Sequence, residues 1–326
     1  MSKSSFHNIR PHILPAFTNL PAGSSSNAPR KDPPFFRQSR HLERQIKDLI
    51  NALEYSKRLL LGSILHKFLV TEKKVPNDND YEFQSLLDII LTENDKDRTF
   101  LPHRLSKKQI LKVKAARNDV DHHNWLAVQR KFVGYFNAMI ALAVSLDHPD
   151  IANEIQTIRD RILKKDYTGG VTFKPFKIPN NGNFDLDAAL GFSQITTRIF
   201  NEMIVPDTWE SLDGNRRKGS PPPSMDLQAN LSEMIQTVQT NPNFLPQGAL
   251  RILRSVRATR LDVAHGHHEN ILKHFEVKYT DLIDYLRILG YRRHADIVRV
   301  IKEKLVALKK SGENVTSDLF PSLYTT

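Results

Sequence analysis

Apolar residues recur at intervals of three and four along most of this chain, which is the spacing of one face of an α-helix. The clearest stripe lies between residues 128 and 146, and a second lies between 271 and 289. Their members are Val128, Phe132, Phe136, Met139, Ile140, Ala143 and Leu146, and then Ile271, Phe275, Tyr279, Leu282, Ile283, Leu286 and Leu289. No run alternates apolar and polar positions between turn signals as a half-buried strand does. The pattern predicts an all-α protein with both aromatic stripes in its core.

The two stripes belong to a longer internal match. Residues 113–163 align with 256–306 at a constant offset of 143, with eleven identical pairs. After a one-residue gap the match continues upstream, where 83–102 aligns with 227–246. An ungapped match across several predicted helices is the signature of an internal repeat. The sequence therefore predicts a duplication that produces two tandem, related helical bundles.

The match also sets the expected domain boundaries. Glycine and proline punctuate the segment between the two units, so it is predicted to be a linker. A loop is predicted at 206–225, around Pro221, Pro222 and Pro223. The expected parts are a disordered tail at 1–40, a first bundle at 41–165, a linker at 166–183, a second bundle at 184–308 and a C-terminal tail at 309–326.

Charge and composition narrow the classes of function. The 326 residues carry a net charge of +11 and include no cysteine, which excludes disulfides, thiol catalysis and thiolate metal sites. Residues 1–40 hold six basic residues and one acidic residue, a net of +5, in a serine- and proline-rich segment typical of a flexible tail or an organelle transit peptide. No apolar run is long enough to span a membrane. We expect an intracellular protein, cytoplasmic or nuclear, with an acidic partner such as nucleic acid, or a basic protein without one.

Each predicted bundle carries an arginine five residues before a histidine. The first motif contains Arg117, Asn118 and His122, and the second contains Arg260 and His265. At 100° per residue, the three side chains of the first motif can share one side of a helix. The approach to each motif is basic and free of acids, which suits contact with a phosphate backbone. The candidate nucleic-acid contacts are Arg104, Lys107, Lys108, Lys112 and Lys114 before the first motif, and Arg251, Arg254 and Arg257 before the second, spaced as one helical stripe with Arg260.

These motifs, "RNDVDHH" at 117–123 and "RLDVAHGHH" at 260–268, set in helical bundles, resemble the HEPN superfamily. The resemblance covers both units. Many members of that family are metal-independent RNases that act as dimers or as two domains in one chain, with two motifs facing each other. Other members bind RNA or nucleotides, or act as scaffolds, without catalysis. The resemblance implies an RNA partner, a homodimer or protein partner, and neither a metal nor a cofactor.

The resemblance assigns roles residue by residue. The matching positions are Arg117 and Arg260 for the motif arginine, and His122 and His265 for the motif histidine. Asn118 matches the polar position that follows the arginine, whereas Leu261 departs from it, which puts a fully symmetric site in doubt. A histidine can exchange a proton at neutral pH, and an arginine can hold a phosphate bidentately. The implied reaction uses the 2′-hydroxyl of RNA as the nucleophile, so DNA would be a poor substrate.

Other interpretations remain open at this point. Arg117 could pair with Asp121 or cap a neighbouring helix, and His122 could be a polar residue at a bundle seam. Imidazoles suit zinc, copper or nickel, so a histidine metal site is an alternative. A non-catalytic RNA-binding or scaffold module and a helical protein–protein adaptor are the alternative functions. The histidines that could bind a metal are His265, His267 and His268.

Two further features favour structural roles. Asp119 and Asp262 match each other and fall on the opposite side of the helix from the motif histidine, where each is expected to pair with a basic residue. Trp125 has no aromatic counterpart in the second unit, which favours packing over base stacking.

Overall fold

The computed structural model describes most of the chain. The described residues are 40–73, 75, 83–122, 124–164, 173–180, 184–215 and 226–319. The predicted disordered tail lies outside them except for Arg40, at which the first helix begins.

The described residues form an all-α protein, as the apolar periodicity predicts. The first part of the chain contains α1 (Arg40–Arg58) with two π-helical continuations (Leu59–Leu65 and Lys67–Glu72), α2 (Phe83–Lys96), α3 (Lys107–Asp121), α4 (Trp125–Ser145) and α5 (Pro149–Leu163). The second part contains α6 (Leu186–Ile199), a π-helical segment (Phe200–Ile204), α7 (Val205–Gly214), α8 (Leu227–Thr240), α9 (Ala249–Ala264), α10 (His268–Ile288), α11 (Arg292–Ser311) and a 3-10 turn (Ser317–Leu319). Strand β1 (Phe176–Lys177) pairs antiparallel with β2 (Asn314–Val315). No helix in these ranges is long and apolar enough to cross a membrane.

Local sequence explains where the helices near the seam begin. Ser106 caps α3 in a capping box. Its side chain accepts a hydrogen bond from the backbone N–H of Gln109, and the Gln109 side chain accepts one from the backbone N–H of Ser106. Asp185 and Asp226 cap α6 and α8 through their carboxylates. Short polar side chains satisfy N–H groups that have no partner within the helix.

Two hydrophobic cores organise the helices. One is built from residues between 49 and 162 together with Leu190 of α6, and the other from residues between 176 and 319. In the first, α4 packs against α1, α3 and α5, and in the second, α10 packs against α6, α9 and α11. The aromatic stripes lie in these cores, since Phe136, Phe275 and Tyr279 are buried, with Phe132 half-buried at the edge.

The helix boundaries follow the same offset as the sequence match. Helix α3 ends at 121 and α9 ends at 264, while α4 begins at 125 and α10 at 268. The equivalent helix pairs also pack in the same order within each bundle. The internal duplication stays a prediction, and these correspondences support it.

The linker and the C-terminal tail differ from their predicted roles. Phe176, within the linker, pairs with Val315, within the tail, and both are buried in the second core together with Leu319. Helix α11 also continues to Ser311. The prolines of the linker do not prevent this pairing because the sheet has only two short strands, both at an edge.

The loop predicted at 206–225 is helical in its first part. Helix α7 extends to Gly214, and residues 216–225 lie outside the described part of the chain. Pro206 is accommodated because it lies in the first turn of α7, where a proline's missing N–H is tolerated. The loop prediction is therefore wrong for 206–214, and for 216–225 it lies outside the described residues.

Candidate Arg–His site at the seam

The C-terminal ends of α3 and α9 lie against each other at the seam between the two bundles. Arg117 of α3 donates from Nη2 to the backbone carbonyl of Ala264, the last residue of α9. Arg260 of α9 donates from Nη2 to the backbone carbonyl of Asp121, the last residue of α3. The two contacts are equivalent at the offset of 143, so the bundles exchange them reciprocally. Each cation satisfies a carbonyl that the other helix leaves unpaired at its negative end.

The guanidinium of Arg117 is fully engaged by protein groups. Its Nε lies 2.8 Å from Asp121 Oδ2, and its Nη1 donates to Gln84 Oε1 at 3.1 Å and to Asn118 Oδ1 at 3.0 Å. The residue is only 6% exposed. Both contacts that a structural role requires, the pairing with Asp121 and the capping of a neighbouring helix, are therefore present.

Arg260 lies in a similar buried position and is 5% exposed. Burial lowers the pKa of Arg260, and the nearby carboxylates of Asp121 and Asp226 oppose that decrease. The guanidinium keeps its charge because the ordinary arginine pKa is far above neutrality. Two buried arginines thus face each other's helix ends, with Asp121 contacting both.

The motif histidines lie on the solvent side of the same helix ends. His122 follows the last residue of α3, and His265 follows the last residue of α9, so both occupy the C-cap position. Both are exposed. His122 Nδ1 lies 3.6 Å from Asp226 Oδ2, and the His265 ring lies 6.1 Å from that of His267, between centroids. The arginine and histidine of each motif therefore point in different directions, the first into the seam and the second outward.

A buried charged cluster on α1 supports the seam, and motif reasoning missed it. Lys57 Nζ lies 3.2 Å from Asp121 Oδ1 and 2.8 Å from Glu54 Oε1. Burial raises the pKa of the Glu54 carboxyl. Burial opposes the charge of Lys57, but Asp121 and Glu54 shift its pKa above the usual lysine value. Breaking such a buried pair would leave a charge without compensation.

A small cavity of about 20 Å³ lies in the seam, which is room for one water molecule. It faces Asp121 and Arg260, and Asn201 contributes an amide whose Nδ2 has no hydrogen-bond partner among the described residues. The remaining lining residues are Val120, Thr197, Phe200, Val263 and Ala264. The cavity is too small for a nucleotide, so any RNA would have to bind outside it.

The three histidines considered as metal ligands do not converge. His268 is buried at the start of α10, where its Nδ1 lies 2.6 Å from Ser193 Oγ. Burial, with Lys57 and His267 nearby, lowers the pKa of His268 to about 3, so its imidazole is neutral at pH 7. His265 and His267 are exposed instead. Within the described ranges no three histidine, aspartate or glutamate side chains are placed to hold a metal ion.

Asp119 and Asp262 have the structural roles that their matched positions predict. Asp119 accepts hydrogen bonds from Asn124 Nδ2 at 3.0 Å and from the Tyr135 hydroxyl, and lies 3.4 Å from the ammonium of Lys131. Asp262 Oδ2 lies 2.6 Å from Lys278 Nζ. Each aspartate thus ties the end of one helix to the helix that follows it.

The predicted basic contacts fall into two groups. Three are paired with acids: Lys107 with Asp95 at 2.8 Å, Lys114 with Asp88, and Arg251 with Asp281 at 3.1 Å. Arg104, Lys108, Lys112 and Arg254 are exposed, and no acidic side chain of the described residues pairs with them, while Arg257 is half-buried.

The three-residue spacing predicted that the arginines of α9 form one stripe, and this prediction is wrong. Three residues rotate a helix by 300°, so each step turns the side chain back by about 60°. Arg254 therefore lies about 120° from the buried Arg260 but only about 20° from His265. Arg254 and His265 share the exposed face of α9, with the exposed Ala258 between them.

No family model, curated protein or solved structure matches this chain significantly.

Proposed function

We propose that this chain is an RNA-directed protein with two HEPN-like bundles and a composite Arg/His site at the seam between them. The reciprocal contact of Arg117 and Arg260 carries the proposal, because each arginine anchors the carbonyl immediately before the other bundle's histidine. His122 and His265 are thereby presented to solvent at one seam. Two facing motifs are what the HEPN resemblance implies for a two-domain chain.

The geometry supports different roles for the two residue types. His122 and His265 are exposed and serve as the acid–base pair. Arg117 and Arg260 are buried and hold the two helix ends together, so they act as positioning residues. The exposed Arg254 is the better candidate for binding phosphate, because it shares a face with His265.

The proposed reaction is RNA cleavage without a metal. One histidine removes the 2′-hydroxyl proton, and the 2′-oxygen attacks the adjacent phosphorus. The bond from phosphorus to the 5′-oxygen breaks, and the second histidine donates a proton to that oxygen. The products are a 2′,3′-cyclic phosphate and a 5′-hydroxyl end, so every proton and bond is accounted for.

The decisive experiment measures cleavage of single-stranded RNA by the full chain in EDTA, with identification of the product ends. We expect His122→Ala to reduce the rate by about 100-fold or more, as for loss of a general acid or base. His103→Ala is a matched control, because its side chain is 59% exposed against 58% for His122, and it should leave the rate unchanged. Undiminished cleavage by the His122→Ala, His265→Ala double variant would refute the site.

The burial of both arginines favours a second candidate, a non-catalytic RNA-binding module. That function predicts salt-dependent RNA affinity without turnover. Arg254→Ala should weaken RNA binding about three- to tenfold in either case, through the loss of one phosphate contact. Arg299→Ala, which removes an exposed arginine of α11 that is paired with Asp296 and Glu303, is the control and should have little effect. The alternative of a helical adaptor predicts neither RNA cleavage nor RNA binding.

A further inference from the structure

A carboxylate from the second bundle faces the catalytic candidate of the first. His122 ends α3, and Asp226 caps the start of α8. Asp226 Oδ1 accepts from the backbone of Gln228 at 2.9 Å, and Oδ2 lies 3.6 Å from His122 Nδ1. The same carboxylate is near Arg260 and favours the charge of that guanidinium. The helix cap holds the carboxylate in place, so its second oxygen is presented to the imidazole in a defined direction.

We propose that Asp226 is the positioning residue for His122: it holds Nδ1 toward the second bundle, so that Nε2 faces the substrate and exchanges its proton with RNA. The proposal rests on the proposed function for its catalytic meaning. The two ring nitrogens point to opposite sides of the imidazole, and a carboxylate at one of them sets both the ring orientation and the tautomer.

The two acids closest to His122 along the chain have other partners. Asp119 is directed to Asn124, Lys131 and Tyr135, and Asp121 is directed into the seam toward Arg117. The orienting acid therefore comes from a different bundle. A site of this kind is complete only when the two bundles are packed together, which links the chemistry to the assembled seam.

The test uses nitrogen NMR of the His122 imidazole in the full chain, together with RNA cleavage kinetics. In the wild-type protein we expect the neutral ring to carry its proton on Nδ1. In Asp226→Asn and Asp226→Ser the tautomer should revert to that of a solvent-exposed histidine, and kcat should fall about tenfold with KM unchanged. Serine still caps α8 but is too short to reach His122. The two variants together therefore separate the orientation of the His122 ring from the stability of the α8 cap.

Asp185→Asn provides the matched control. Asp185 caps α6 through its contact with Ala188 N at 2.7 Å, and its replacement should change neither the tautomer nor kcat. An unchanged His122 tautomer in both Asp226 variants would overturn the positioning contact, whether or not RNA is cleaved. A changed tautomer in a chain whose wild type cleaves no RNA would overturn the proposed function and the catalytic role of Asp226, while the contact itself would stand.

Discussion

Lowering the pH should destabilise this protein through one buried histidine. His268 is 7% exposed, its Nδ1 lies 2.6 Å from Ser193 Oγ, and its Nε2 has no hydrogen-bond partner among the described residues. Its pKa falls from 6.5 to about 3, with burial as the main cause. Because the folded pKa lies below the unfolded one, the unfolded chain binds more protons between these values. The stability that the neutral His268 contributes is therefore present above pH 6.5 and is lost as the pH falls toward 3.

Between pH 7 and pH 5 this one group should reduce the free energy of unfolding by about 2 kcal/mol. Urea unfolding followed by circular dichroism at the two pH values measures the loss, which also includes other titrating groups. His268→Gln removes the titration while keeping a polar partner for Ser193, so its loss should be smaller by about 2 kcal/mol. His103→Gln, at an exposed position, should behave as the wild type. Equal losses in the wild type and in His268→Gln, to within about 0.5 kcal/mol, would refute the reasoning.

The seam and the helix ties allow further predictions. Arg117→Gln should lower the free energy of unfolding by about 3 kcal/mol. Its effect should not add to that of Arg260→Gln, because Asp121 contacts both arginines. A double-mutant cycle in which the two effects add to within about 0.3 kcal/mol would contradict a shared network. Asp262→Asn should cost about 3 kcal/mol, because it leaves the buried ammonium of Lys278 without compensation. The equivalent Asp119→Asn, whose ionic partner is exposed, should cost only about 1 kcal/mol, and equal losses in the same urea assay would argue against this difference.

Local sequence was sufficient for most of the fold. Helical periodicity and capping residues such as Ser106 and Asp185 act within a few positions, so they are readable without tertiary structure. The pairing of Phe176 with Val315 was not readable, because two-residue strands carry no periodicity and their stability comes from burial in the second core.

The candidate site could be predicted only in part, because it also depends on contacts between distant parts of the chain. Spacing identified Arg117, His122 and their equivalents, because motif residues lie close together along the chain. It placed them on one side of a helix, whereas the structure buries the arginine and exposes the histidine. The direction of each side chain depends on what packs beside the helix, and that neighbour comes from a distant part of the sequence.

By itself the sequence determined the all-α class and most helix positions, and it predicted the equivalence of the two Arg–His motifs. Only the tertiary structure decided that the motifs meet, that Lys57 and Asp121 support them, and that Asp226 faces His122. The physical reason is the range of the interactions. Periodicity and caps act over one or two helical turns, whereas the seam joins residues that become neighbours only when two separate hydrophobic cores pack together.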